Sequence, residues 1–186
     1  MPAEFPLPCK ALKTEMKNIV LIGMPGSGKS TVGVLLAKAA AMRFVDTDIT
    51  IQQKTGRKLQ DIINKDGVDF FLKTESEILK SIMCENTVIS TGGSAVCTSS
   101  AMRHLKSLGT SVFLDVPLCE LKRRIDNITT RGIALKKGET LDTLYNERMP
   151  LYKKYADITV SATDTEETVK KILDKRDEQN EVKKAR

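Results

Sequence analysis

The sequence predicts a three-layer α/β domain in which helices flank a five-stranded parallel β-sheet. Short apolar runs rich in β-branched residues are typical of buried parallel strands, and they occur at 18–22, 43–45, 87–90, 111–116 and 158–160. Segments with helical periodicity separate them, at 29–41, 49–55, 59–66, 69–83, 99–108, 118–126, 141–155 and 165–175. Because strands and helices alternate, we expect right-handed crossovers and ligand-binding loops at the carboxyl ends of the strands.

The composition is that of one compact domain. A chain of 186 residues with 40% hydrophobic content can bury a core, and no run of about 18 apolar residues predicts a membrane span. We expect a domain at 17–175, a flexible N-terminal extension at 1–16 and a charged C-terminal tail at 176–186. The extension lacks a signal-peptide core, which favours a cytoplasmic location, and translation starts at either Met1 or Met16.

The net charge of +6 is compatible with nucleic-acid binding, but two features argue against that class. The tail interleaves Asp174, Asp177 and Glu178 with its basic residues, and aromatic residues make up only 4% of the chain. We therefore expect a monomer without a nucleic-acid partner. Its positive charge should act on nucleotide phosphates and an anionic substrate.

A phosphate-binding loop follows the first predicted strand. Residues 23–31 read GMPGSGKST, which matches the P-loop pattern G-x-x-x-x-G-K-[ST] between a strand and a helix. Backbone N–H groups and the helix N-terminus would bind phosphates, Lys29 would reach the β- and γ-phosphates, and Ser30 would bind Mg²⁺. The candidate nucleotide-binding residues are Gly26, Ser27, Gly28, Lys29, Ser30 and Thr31.

Two carboxylates, Asp46 and Asp48, follow the second predicted strand. At an extended strand end, residues two apart face the same side. Near a phosphate loop, one carboxylate can hold a magnesium-bound water while the other accepts a proton from an attacking hydroxyl. The alternative is an exposed strand end followed by an aspartate helix cap.

From residue 17 to 175 the sequence resembles the shikimate kinase family, which are P-loop small-molecule kinases of nucleoside monophosphate kinase-like fold. The motifs that carry the resemblance are GMPGSGKST at 23–31, DTD at 46–48, STGGS at 90–94, and ERMPLY at 147–152 followed by YAD at 155–157. The resemblance implies transfer of the γ-phosphoryl group of ATP to a hydroxyl of shikimate, giving shikimate 3-phosphate for aromatic amino acid biosynthesis. A nucleoside monophosphate kinase fits less well, because the acceptor motifs are of the shikimate type.

The resemblance also implies roles on the acceptor side. Asp48 would hold substrate hydroxyls and act as general base. Gly92 and Gly93 would bring backbone N–H groups against the substrate, beside Ser94, because glycine lacks a Cβ. Arg148 would pair with the substrate carboxylate, and the alternative for Arg148 is a charge on a helix surface.

On the donor side, the resemblance implies that Asp46 and Ser30 assist magnesium. Arg131 would move onto the transferring phosphoryl group, which makes it a catalytic residue together with Lys29 and Asp48. Arg124 would stack near adenine. A surface charge is the alternative for Arg124. Residues 127–140 lack periodicity and are glycine-containing, which is typical of a mobile lid.

The sequence departs from the family pattern in three places. The family motif G-E-x-x-F-R-x-x-E appears as GVDFFLKTE at 67–75, so Leu72 replaces an arginine that clamps the substrate carboxylate. Lys73 cannot substitute for it, because one helical step rotates a side chain by about 100°. Ser94 replaces a third glycine, and residues 131–134 read RGIA instead of RPLL.

These departures leave the acceptor open. A charged bidentate contact contributes ~1.5–3 kcal/mol, so its loss should weaken shikimate binding by about one to two orders of magnitude or indicate another acceptor. The remaining alternatives are a kinase for another small hydroxy acid or sugar acid, and a nucleotide-binding regulator without kinase activity. In each case we expect ATP and Mg²⁺ to bind the P-loop.

Overall fold

The computed structural model describes residues 17–125, 133–135 and 138–184. Its strands are β1 (Asn18–Ile22), β2 (Arg43–Asp46), β3 (Thr87–Ser90), β4 (Gly109–Asp115) and β5 (Ile158–Ser161). Its helices are α1 (Lys29–Ala39), α2 (Thr47–Thr55), α3 (Leu59–Asp66), α4 (Val68–Lys80), α5 (Ser99–Leu108), α6 (Leu118–Arg124), α7 (Leu141–Tyr155) and α8 (Thr165–Lys184). A short 3₁₀ turn, Ala95–Cys97, joins β3 to α5.

The five strands form one parallel sheet in the order β2-β3-β1-β4-β5, which confirms the predicted α/β class. Strand β1 lies at the centre and is buried along its whole length, as its sequence NIVLI requires. It pairs with both neighbours, for example Ile19 with Val88 and Ile22 with Phe113. The loops after β1 and β3 therefore lie side by side at the carboxyl edge of the sheet.

Two hydrophobic clusters organise the packing. The larger one joins the sheet to the surrounding helices. The smaller one lies among α2, α3 and α4 and consists of Ile51, Leu59, Ile62, Ile63, Phe71, Ile78 and Ala134, with Val68 and Leu72 packed against it. Full burial of such a side chain contributes ~1.5–3 kcal/mol, so this cluster fixes the three helices at the same edge of the sheet as the P-loop.

Most helices and strands begin or end one to three residues from the predicted positions, and three of the differences have a visible physical cause or consequence. Helix α2 begins at Thr47 because Asp46 caps it, so Asp48 lies in a helix and not at an extended strand end as predicted. Strand β4 begins two residues early, at Gly109. Helix α8 continues past the predicted end at 175 to Lys184. Two of its side chains donate hydrogen bonds to the backbone beside it: Lys175 Nζ to Thr159 O in β5, and Gln179 Nε2 to Asp157 O just before β5.

Several predictions fall outside the described residues. The N-terminal extension at 1–16, most of the predicted lid and Arg131 belong to this group. Within the described part of the chain, no helix has the length and apolar character needed to cross a membrane.

Candidate active site

The P-loop connects β1 to α1 through glycines in conformations that other residues rarely adopt. Gly28 is the N-cap of α1 and has φ 87°, in the left-handed region. Gly26 also has a positive φ, and a Cβ there would lie 2.7 Å from Cγ1 of Ile125. The chain can therefore turn tightly into the helix, whose first N–H groups have no partner within the helix and can bind an anion.

Lys29 lies inside this loop. Its Nζ donates to the carbonyl oxygens of Gly23 and Met24, each at 2.8 Å, and to Ser27 Oγ at 3.3 Å. Burial lowers the pKa of Lys29 to about 8, although the carboxylates of Asp48 and Asp46 oppose the shift. The loop thus holds an ammonium group at the place where phosphates would bind.

Ser30 and Asp46 meet beside the loop. Ser30 Oγ donates to Asp46 Oδ2 at 2.6 Å. The other oxygen, Oδ1, accepts from the backbone N–H groups of Asp48 at 2.9 Å and Ile49 at 3.4 Å. Asp46 therefore caps helix α2, as the alternative in the sequence analysis expected, and it also accepts a hydrogen bond from Ser30. A hydroxyl and a carboxylate are oxygen ligands that suit Mg²⁺, which needs few protein ligands when phosphates complete its shell.

Asp48 projects from the first turn of α2. It is half-buried, and burial raises its pKa to about 6, with Asp46 adding to the shift and Lys29 opposing it. A carboxylate with a raised pKa is a better proton acceptor than a solvent-exposed one. The side chain can therefore act as a general base in this environment.

Gly92 lies where β3 ends, against two carboxyl groups. A Cβ at this position would come within 2.4 Å of Glu75 Oε1 and 2.8 Å of Asp48 Oδ1. The Gly92 N–H donates to Thr47 Oγ1 at 3.1 Å, so in this structure it is not directed at a substrate as predicted. The absence of a side chain, which lets the carboxyl groups approach, is what this position requires.

Gly93 packs equally closely against the P-loop. A Cβ here would lie 2.7 Å from Cδ of Pro25. The Gly93 carbonyl accepts from the hydroxyl of Tyr152 at 2.6 Å, and the Tyr152 ring stacks on Phe113 with centroids 5.1 Å apart. Helix α7 is thereby fixed to the acceptor loop.

Arg148 of α7 is buried, with 4% of its surface exposed, so the alternative of a helix-surface charge is wrong. Its Nη2 donates to Ala134 O at 3.0 Å, and its charge acts on Cys97 and Tyr152, where it partly opposes the rise in pKa that burial causes. No carboxylate is paired with Arg148 by a salt bridge among the described residues. A buried guanidinium with remaining donors is suited to a planar anion.

Arg124 lies on the far side of the P-loop. It donates to Glu120 Oε1 at 2.7 Å and to the carbonyl oxygens of Ala162 and Thr163 at 3.2 and 3.1 Å. Its Nη1 would be 4.0 Å from a Cβ at Gly28. The side chain is thus held beside the nucleotide loop.

A cavity of about 270 Å³ joins the two halves of the site. The predicted residues that line it are Gly26, Gly28, Lys29, Ser30, Thr31, Asp48, Gly92, Gly93, Ser94 and Arg148. Phe71 and Ala134 of the smaller cluster also line it, together with Pro25, Thr91 and Ile133. A phosphate loop, a candidate base and a buried guanidinium therefore open into one space.

The comparisons with known proteins agree with this geometry. A family model described as shikimate kinase matches residues 25–177, which is more than half of the chain. The chain belongs to the shikimate kinase family. As a member, it is a phosphotransferase that uses ATP as donor and a hydroxyl group as acceptor.

Individual members of the shikimate kinase family are similar over most of their length. The shikimate kinase of Clostridium botulinum strain Eklund 17B is 40% identical over 161 residues, which cover 84% of this chain and 96% of that protein. The solved shikimate kinase of Acinetobacter baumannii, in complex with shikimate, has a TM-score of 0.77 and 30% identity over 85% of this chain and 91% of its own. The Aquifex aeolicus structure has a TM-score of 0.74 and 36% identity, covering 88% and 98%. A Sinorhizobium meliloti gluconokinase, 19% identical with a TM-score of 0.52, shares the fold.

Compared with the shikimate kinase pattern, the structure places Leu72 away from the cavity wall. Its side chain packs against the smaller hydrophobic cluster, and the neighbouring Phe71 lines the cavity. The arginine position of the family motif therefore supplies no charge here.

Glu75, the last residue of the same motif, is a site residue that the sequence reasoning missed. Only 2% of it is exposed, and its Oε1 has no hydrogen-bond partner among the described residues. Burial raises the pKa of Glu75 to about 7, and Asp48 adds to the shift. An available signal was its position on the apolar face of α4, between Phe71 and Leu79, which are both buried.

Glu75 should make stability depend on pH. The pKa of Glu75 is about 7 in the folded protein and 4.5 when the group is free. The contribution of Glu75 to the free energy of unfolding is therefore fully present below pH 4.5 and is lost as the pH rises through 7. The loss is up to ~3 kcal/mol for such a shift. We expect Glu75→Gln to remove this pH dependence. The free energy of unfolding in urea, measured at about pH 5 and at about pH 8, should then differ less between the two pH values in the variant than in the wild type. An equal difference in both proteins would contradict the assignment, and Glu77→Gln, an exposed change on the same helix, is the control.

Proposed function

We propose that this protein phosphorylates shikimate, transferring the γ-phosphoryl group of ATP to a substrate hydroxyl and releasing shikimate 3-phosphate and ADP. The observation that carries the proposal is the buried guanidinium of Arg148, which opens into the same cavity as Lys29 and Asp48. A carboxylate held by Arg148 would place the rest of a small ring between the base and the phosphate loop. The similar Acinetobacter baumannii enzyme was solved with shikimate bound, which supports the same acceptor.

In the proposed reaction, the P-loop amides and Lys29 bind the phosphates. Ser30 and Asp46 would hold Mg²⁺, which neutralises charge on the β- and γ-phosphates. Their direct contact beside the loop fits this role, because both present oxygen atoms. Arg124 is positioned beside the loop for the adenine end of the nucleotide, and Arg131 is proposed to reach the moving phosphoryl group.

On the acceptor side, Asp48 takes the proton of the attacking hydroxyl. The oxygen of that hydroxyl forms a bond to the γ-phosphorus while the bond to the bridging oxygen of ADP breaks. Lys29 stabilises the negative charge on the phosphoryl oxygens, and Ser94 with the glycine pair shapes the pocket that orients the acceptor.

The acceptor assignment is tested by incubating the purified protein with ATP, Mg²⁺ and shikimate and identifying the product by NMR. We expect phosphate on a shikimate hydroxyl, with ADP release at lower acceptor concentrations than for other small hydroxy acids and sugar acids. A second candidate, a kinase for another hydroxy acid, is favoured by the apolar placement of Leu72. Faster turnover of another acid would select that candidate, and nucleotide binding without ADP release for any acceptor would select a regulator.

Arg148→Lys should separate binding from chemistry. Lysine keeps the charge but loses the planar fork, so we expect the KM for shikimate to rise about 10- to 100-fold while kcat changes much less. Steady-state kinetics at saturating ATP measure both constants. Arg103→Lys is the matched control, because Arg103 is exposed on α5. An unchanged KM in Arg148→Lys would remove Arg148 from the acceptor site.

A further inference from the structure

Glu75 is a buried carboxyl group that the mechanism above does not use. Its Oε1 has no hydrogen-bond partner within the described part of the chain, and it lies 2.4 Å from the place that a Cβ of Gly92 would occupy. The hydroxyl of Ser94, which lines the cavity, lies close enough to the same carboxylate to favour its ionised form. Glu75 therefore lies directly behind the loop that forms one wall of the acceptor pocket.

The charges around Glu75 come from several elements. Asp48 of α2 opposes its ionisation, while Arg148 of α7 and Lys29 of α1 favour it. Cys97 in the 3₁₀ turn and Tyr152 of α7 also face it, but burial raises the pKa of each, so both stay neutral near pH 7.

On its own helix, the residue one turn before Glu75 is apolar. Leu72 packs on the smaller cluster and offers no counter-charge. A buried carboxylate without a full set of partners is costly, and a proton is the simplest group that removes the cost. Burial accordingly raises the pKa of Glu75 to about 7.

We propose that Glu75 is a positioning residue that takes up a proton when an anionic acceptor binds, so that no buried carboxylate opposes the pairing of the acceptor with Arg148. This inference rests on the proposed function in requiring an anionic acceptor. The protonated carboxyl keeps its place behind Gly92. The ionised carboxyl instead repels the acceptor carboxylate across a short, poorly solvated distance. The proton that is taken up comes from solvent and returns to it when the acceptor leaves.

The binding test is the KM for shikimate as a function of pH. In the wild type, KM should rise by up to about tenfold for each pH unit above the pKa of Glu75, because only the protonated form binds well. Glu75→Gln keeps the shape and stays neutral, so its KM should stay low and nearly constant above neutral pH, with kcat little changed. Glu77→Gln is the matched control and should behave as the wild type. Equal pH profiles for Glu75→Gln and the wild type would overturn the proposal.

A second measurement keeps the proposal testable if Glu75→Gln does not fold. Calorimetric titration of the wild type with shikimate, in buffers that differ in ionisation enthalpy, counts the protons taken up on binding. We expect net uptake above neutral pH and none well below it, and no uptake at either pH would overturn the proposal. If shikimate neither binds nor is phosphorylated at any pH, the proposed function fails. If it is phosphorylated without proton uptake, only the role of Glu75 fails.

A complementary variant supplies the missing counter-charge. Leu72→Arg places a cation one turn from Glu75, which should hold the carboxylate ionised and paired. We expect proton uptake on shikimate binding to fall in this variant, and an unchanged uptake would contradict the role assigned to Leu72.

Discussion

Lys29→Met is expected to reduce kcat for phosphoryl transfer by at least about 10²–10³-fold, the loss typical of removing one preorganised charge-stabilising donor. Methionine fills much of the same space without an ammonium group, so the phosphates would meet the loop carbonyl groups without a cation between them. The loss should appear mainly in kcat, because the charge on the moving phosphoryl group is concentrated in the transition state. Steady-state ADP release with saturating ATP and shikimate measures it.

The variant also affects the loop itself, so folding must be measured together with activity. Lys29 donates to the carbonyl groups of Gly23 and Met24, and losing a buried donor costs ~1–3 kcal/mol. Lys38→Met is the matched control, because Lys38 lies in the last turn of the same helix and is exposed. If Lys29→Met melts as a folded protein and transfers phosphate at the wild-type rate, the donor assignment is wrong.

The sequence predicted the fold well where the signal is local. Helices α3, α5 and α7 begin and end at the predicted residues, because each has a clear periodicity or terminus, as in the capping box that Thr140 and Thr143 form at the start of α7. The early start of β4 is a tertiary effect. A Cβ at Gly109 would lie 2.0 Å from Asn18 O, so the glycine allows a backbone approach that no local pattern reveals. The extension of α8 depends likewise on its contacts with β5.

The candidate site divides in the same way. The P-loop was predictable because strand, loop and helix are contiguous in sequence. The apolar face of α4 could have indicated that Glu75 is buried, but the groups around its carboxyl could not be predicted, since they depend on the packing of α4 against the loop of Gly92, seventeen residues further along the chain. The orientation of Leu72 towards the smaller cluster, with Phe71 at the cavity, was equally hidden, because both side chains are apolar and the sequence does not show which neighbours each one contacts.

Asp48→Asn is the second variant with a large expected effect, and it tests the chemistry on the acceptor side. We expect kcat to fall by about 10²–10⁴-fold, the range associated with general acid–base catalysis. Asparagine is nearly isosteric, and the cap of α2 is kept, because Asp46 accepts from the backbone N–H of this residue. ADP binding, measured calorimetrically, should therefore be close to that of the wild type.

The size of the loss distinguishes two roles for Asp48. Phosphoryl transfer depends mostly on positioning and charge, so a residue that only orients the hydroxyl would be largely replaced by an amide that can still hydrogen-bond. An amide could not replace a general base, since it cannot take the proton. Asp48→Asn should thus be nearly as slow as Asp48→Ala, while Asp61→Asn, an exposed change on α3, should be unaffected. Activity of Asp48→Asn within a few-fold of the wild type would show that the hydroxyl loses its proton elsewhere, and Asp48 would then be a residue that orients the acceptor.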